Sequence, residues 1–130
     1  MAKAERWIMT GAVSAALAIG AGAFGAHGLR SRLDPRSLEI FETGAHYQLI
    51  HALALVLVGV LVAAGWHRAA RAGVGFLVGT IVFSGSLYAL AISGVKVLGA
   101  ITPIGGVGFI VGWIMLAHVA WQRSRVSQPR

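Results

Sequence analysis

The chain has no cysteine among its 130 residues and no acidic residue after Glu42. The first absence excludes disulfides, thiolate metal sites and covalently attached haem. The second leaves everything beyond residue 42 without the paired carboxylates that acid–base chemistry uses. Charge of either sign is scarce: 12% of residues are charged against 57% hydrophobic, with a mean hydropathy of +0.77. Average soluble domains carry roughly twice that charge, so the composition is that of an integral membrane protein. Alternating polarity is also missing, which excludes a transmembrane β-barrel.

What the chain does have is four long apolar stretches, at residues 7–26, 45–64, 72–93 and 102–121. Each is close to the roughly 20 residues needed to cross a hydrocarbon core about 30 Å thick. Backbone groups in lipid must be satisfied within the segment, so the stretches are read as helices and the fold as an all-α, membrane-embedded four-helix bundle in a single domain. Asp34 with Pro35, and Thr102 with Pro103, read as N-caps followed by proline at the first helical position. The first pair predicts a helix that starts near Pro35 as a short amphipathic lead-in in the first outer loop and can continue through the second span. There Leu38, Phe41 and Ala45 share one face and Glu39, Glu42 and His46 another.

Lysine and arginine set the expected orientation. Lys3, Arg6, Arg68, Arg71, Arg123, Arg125 and Arg130 fall on the side of the termini, against Arg30, Arg32, Arg36 and Lys96 on the other. Both termini are therefore expected in the cytoplasm, in a multi-pass protein of a bacterial inner membrane, with Trp7, Trp66 and Trp121 as interfacial anchors. The +7 formal charge and pI near 11.5 follow this topology and do not form a nucleic-acid-binding stripe. Their expected partner is anionic lipid, not nucleic acid. A secretory signal peptide is the rival reading of the first stretch, with Lys3 and Arg6 as its basic start and Ala21, Gly22 and Ala23 as a cleavage pattern. The stretch is long for that role and is expected to remain as a span.

Small residues four apart provide candidate packing faces: Ala12, Ala16 and Gly20; Gly75 and Gly79; Gly108 and Gly112. Packing within one bundle is the expected use, and a homo-oligomer or contact with another membrane protein the alternative.

Four runs carry a family resemblance: 22–29 with Gly22, Phe24, Gly25, His27 and Leu29; 41–48 with Phe41, Glu42, Gly44, His46, Tyr47 and Gln48; 83–88 with Phe83, Ser84, Ser86 and Tyr88; and 102–106 with Thr102, Pro103, Gly105 and Gly106. Taken in order, they resemble the small membrane proteins grouped as domain of unknown function 423. The resemblance implies a four-helix protein of the bacterial inner membrane and carries over no catalytic residue.

The same runs gather polar residues toward the outer ends of the spans: His27, Glu42, His46, Tyr47, Gln48, His51, Ser84, Ser86, Tyr88 and Thr102. By helix rise, His51 would lie on the order of 9 Å beyond residue 45, and Ser84 about 13 to 15 Å from Ser93. Polar groups in a bilayer normally face the bundle interior. The leading expectation is a nonenzymatic accessory or binding protein that uses this cluster to hold a lipid, a quinone or another membrane protein. A small transporter or channel is the alternative, although no span holds a carboxylate and only His51 and His118 could relay protons. A metal or haem site on His27 with His46 or His51, helped by Glu42, is a lesser one, since neither His pairs four apart nor Glu-x-x-His occur. An intramembrane hydrolase pairing Ser84 or Ser86 with His51 has no supporting acid or Gly-x-Ser-x-Gly context. No cofactor is assigned.

Overall fold

A computed structural model describes residues 2–126 and shows four helices, each long and apolar enough to cross a membrane. Helix α1 (Ala2–Phe24) passes into a single π-helical turn, Gly25–Leu29. Helix α2 is Pro35–Ala63 and, after one 3₁₀ turn at His67–Ala69, α3 is Ala70–Ser93. Helix α4 is Val97–Val126. The all-α, four-span expectation therefore holds.

The ends of the helices follow local chemistry. Asp34 caps α2: its carboxylate accepts the Ser37 backbone N–H at 3.0 Å and the Ser37 hydroxyl at 2.7 Å, with Pro35 at the first helical position. Those two bonds hold the Asp34 carboxyl below its ordinary pKa. Helix α3 stops at Gly94, whose φ of 71° is the left-handed conformation that glycine adopts without steric cost; its N–H returns to the Leu90 carbonyl at 2.8 Å.

One expected boundary holds and one differs. The helix expected from Pro35 runs on through the second span: the lead-in is the first third of α2, unbroken to Ala63, with Phe41, Gly44 and Ala45 buried on one of its faces. Phe41 packs with Leu29 and Ala91, which draws the segment against the bundle. The fourth helix begins at Val97, five residues before the expected cap at Thr102. The turn at Gly94 is tight enough for α4 to start at once, and Pro103 then sits inside the helix, where its missing N–H leaves one carbonyl without its usual partner.

Each helix packs chiefly on its neighbours in sequence: α1 on α2, α2 on α3 and α3 on α4. The two central helices are accordingly far more buried than α1 and α4. Helix α1 and the π turn that follows meet α2 through Ala4, Gly11, Ala18 and Gly25, all buried and spaced seven apart. A Cβ at Gly11 would stand 2.6 Å from the Ala52 carbonyl, so only glycine permits this approach. The expected stripe of Ala12, Ala16 and Gly20 is instead exposed, on the opposite side of the helix. The other two stripes do pack within the chain: Cβ atoms at Gly75 and Gly108 would come within 3.0 Å of the Gly108 carbonyl and 3.2 Å of the Gly79 Cα respectively. The main core, including Leu55, Val58, Ala72 and Phe76, lies toward the Trp66 end, and a smaller one of Leu29, Phe41 and Ala91 toward the Ser93 end.

Candidate functional site

Register between α2 and α3 is fixed by a buried bond from the Ser84 hydroxyl to the Gly44 carbonyl, 2.7 Å. Gly44 is nine residues from Pro35 and Ser84 nine from Ser93, so both lie about 13 Å in from that end of the bundle, by a rise of about 1.5 Å per residue. Gln48, one turn beyond Gly44 on α2, reaches deeper still. The polar residues thus run to mid-helix and are not confined to one end.

Gln48, only 9% exposed, joins three helices. Its amide nitrogen donates to the Ser14 carbonyl on α1 at 3.1 Å and also to the Ser14 hydroxyl oxygen at 3.4 Å. Its carbonyl oxygen accepts the Tyr88 hydroxyl from α3 at 2.7 Å. The arrangement leaves capacity unspent: a second lone pair on the Gln48 oxygen and the acceptor side of the Tyr88 hydroxyl. Beside them Thr80 is 9% exposed, and its Oγ1 is buried with no hydrogen-bond partner. Above this floor a groove of about 610 Å³ opens between α1 and α3, with Met9, Val13, Leu17 and Ile81 as apolar walls and Ser14, Gln48, Thr80, Ser84 and Tyr88 supplying polar atoms. No charged side chain lines it.

Three residues along α2 from Gln48 and turned toward α4 stands an aromatic assembly around His51, 3% exposed. The Trp113 indole N–H donates to His51 Nε2 at 3.1 Å. Indole nitrogen is a donor only, so Nε2 accepts, and the proton resides on Nδ1, which donates to the Tyr47 carbonyl at 2.7 Å. The imidazole is thereby neutral and in one tautomer. Its ring stacks on Phe109 with centroids 3.4 Å apart and planes 6° from parallel. Tyr47 is 41% exposed, yet its ring packs on Phe83 at 4.9 Å.

A third contact ties α3 to α4: the Ser86 and Thr102 hydroxyls are 2.7 Å apart, with Ser86 also bonded to the Phe83 carbonyl at 2.9 Å.

The ten residues singled out from sequence therefore divide. Gln48, Ser84 and Tyr88 gather at the groove, Tyr47 and His51 in the aromatic assembly, and Ser86 with Thr102 in the α3–α4 clamp. His27 and Glu42 are exposed and join none of these, and His46 is exposed and meets the assembly only at the Tyr47 ring, edge to face with centroids 6.0 Å apart. Among the described residues no three His, Asp or Glu side chains stand close enough to hold a metal ion, and both ring nitrogens of His51 are occupied. The Ser–His hydrolase pairing is not formed either, since Ser84 and Ser86 bond to backbone carbonyls and Thr102, and His51 bonds to Trp113 and Tyr47. Sequence reading missed Ser14, Thr80 and Trp113. Trp113 carried a usable signal: unlike Trp7, Trp66 and Trp121 it lies in mid-span, where an indole N–H needs an internal partner.

Residues 21–106 match the family described as protein of unknown function (DUF423). The chain belongs to that family. Relatives include the UPF0382 membrane protein YwdK of Bacillus subtilis, 44% identical over 116 residues that cover 88% of this chain and 94% of the relative. A UPF0382 membrane protein of Staphylococcus aureus, SAB0533, is 48% identical over 110 residues, covering 85% and 90%. One from Staphylococcus saprophyticus is 46% identical over 112 residues, covering 85% and 92%. No solved structure matches. The protein is thus a multi-pass membrane protein of the DUF423 family, and the family's matched segment holds Gln48, His51, Thr80, Ser84 and Tyr88, while Ser14 and Trp113 flank it.

Proposed function

We propose that this DUF423 protein is a nonenzymatic accessory protein of the bilayer that binds a neutral amphiphile in the groove between α1 and α3. The observation that carries this reading is the polar floor under a lipid-facing groove: unspent acceptors on Gln48 and Tyr88, with the buried Thr80 hydroxyl unpartnered beside them. Lipid tails offer no hydrogen bonds, so unspent capacity at mid-helix is costly unless a ligand group meets it. A hydroxyl or carbonyl head suits these atoms, an apolar chain suits Met9, Val13, Leu17 and Ile81, and the absence of charged lining disfavours an ionic head. Both termini face the cytoplasm in this reading, by the excess of lysine and arginine at the Trp66 end.

Native mass spectrometry on protein extracted under mild conditions from its own membrane tests the proposal. The expected result is an added mass of a neutral lipid or quinone, lost in Gln48→Leu and weakened in Tyr88→Phe. A bare wild-type chain that stays bare after reconstitution with total lipid extract, or an adduct equally retained by Gln48→Leu, refutes it.

A further inference from the structure

At the Trp66 end, away from the groove, the side chains form a second and oppositely designed site. Arg68, in the turn before α3, donates from Nη1 to the Gln122 carbonyl oxygen on α4 at 2.9 Å, and the Gln122 amide nitrogen lies 2.8 Å from His118 Nε2. This chain of contacts leaves a hollow of about 350 Å³ whose rim is Arg68, Arg71 and His118 and whose base is Ile114, Met115 and Val119.

Three features of the hollow point to an anion with an apolar tail. First, no carboxylate lines the hollow, and Arg71 is exposed with no intramolecular partner among the described residues. Second, Arg68 uses one of its five N–H donors on Gln122, and a second guanidinium stands one helical turn away at Arg71. Planar forks of this kind match phosphate oxygens in pairs. Third, the apolar base lies one turn along α4 toward the middle of the bundle, where Ile114 is 63% and Met115 40% exposed, so a chain leaving the rim would run along lipid-facing side chains. Trp66 and Trp121 at the same end mark the depth of headgroups.

We infer that the hollow between Arg68, Arg71 and His118 is a binding site for the phosphate of an anionic glycerophospholipid, whose acyl chains lie along Ile114 and Met115. The site is independent of the α1–α3 groove. It takes an anion where the groove takes a neutral head.

The test places the full chain in mixed phosphatidylglycerol and phosphatidylcholine nanodiscs and scores lipids retained on release by native mass spectrometry. Wild type should keep one phosphatidylglycerol in preference to phosphatidylcholine. Arg68→Gln with Arg71→Gln should lower that retention at least tenfold, and Lys3→Gln with Arg6→Gln, an equal change of charge elsewhere, should leave it within twofold. Arg71→Gln alone removes no intramolecular hydrogen bond, so its loss of retention supports the site even if the double variant misfolds. Equal retention of the two lipids, or equal losses in the two charge-matched doubles, overturns the inference. Displacement of phosphatidylglycerol by millimolar inorganic phosphate overturns the lipid assignment in favour of free phosphate, and retention under phosphate supports it.

Discussion

Replacing Gln48 by leucine, Tyr88 by phenylalanine, and then both together isolates the bond that joins α2 to α3 at the groove. In Tyr88→Phe the ring keeps its place against Phe41, whose centroid is 4.8 Å away, and only the hydroxyl is lost. In Gln48→Leu the 2.7 Å bond to Tyr88 and the 3.1 Å bond to the Ser14 carbonyl both go, while side-chain volume is nearly kept. Interhelical hydrogen bonds in membranes average about 0.6 kcal/mol, with a ceiling near roughly 1.7 kcal/mol. Tyr88→Phe should therefore cost about 0.6 kcal/mol and Gln48→Leu about 1 to 2 kcal/mol. The double variant should cost little more than Gln48→Leu, because the shared bond is counted only once, giving a coupling of about 0.6 kcal/mol. Equilibrium unfolding in mixed micelles, read by helicity and by steric trapping, supplies the four free energies. Additivity of the single changes within about 0.3 kcal/mol would show that the two side chains are not coupled and would remove the polar floor from the groove.

Four further outcomes are expected. Gly105→Ala places a methyl group against the Phe83 backbone and should destabilise the α3–α4 pair by about 1 to 3 kcal/mol, whereas Gly85→Ala, with open space around it, should be neutral or slightly stabilising; equal effects in the same unfolding assay would contradict the close approach. Nitrogen NMR of His51 should show the Nδ1–H tautomer in wild type and a mixture in Trp113→Phe, and an Nε2–H tautomer in wild type would reverse the donor assignment. Asp34→Ala should speed hydrogen exchange at Arg36 and Ser37 without changing the rest of α2. Because the folded carboxyl titrates below its ordinary value, wild type should keep this cap above the unfolded pKa and lose it as pH falls through the lowered one; loss already at neutral pH would contradict it. The proposed placement of both termini in the cytoplasm predicts that a single cysteine in place of Ser31 reacts with impermeant maleimide on intact spheroplasts, and labelling only after lysis would invert the topology.

The elements of this protein were legible because they depend on local chemistry. Four apolar stretches must become helices in lipid, whatever they pack against. Asp34 with Pro35 starts a helix through its own bonds to Ser37, and the glycine pairs on α3 and α4 announce a close contact wherever they meet. The same logic overreached at Thr102 and Pro103, where a cap signal lay inside a helix that the turn at Gly94 had already begun.

The site was only partly legible. An apolar span is hydrophobic on every side, so periodicity does not say which face of it turns inward. Sequence alone therefore established four helices, their charged ends, and a supply of polar residues that had to find partners. Tertiary packing decided the partners. Glycine and alanine at positions 4, 11, 18 and 25 brought α1 close enough for Ser14 to meet Gln48. The glycine contact between α3 and α4 carried Phe109 and Trp113 onto His51. His27, Glu42 and His46, equally polar in the sequence, stayed outside because no helix packed against their faces.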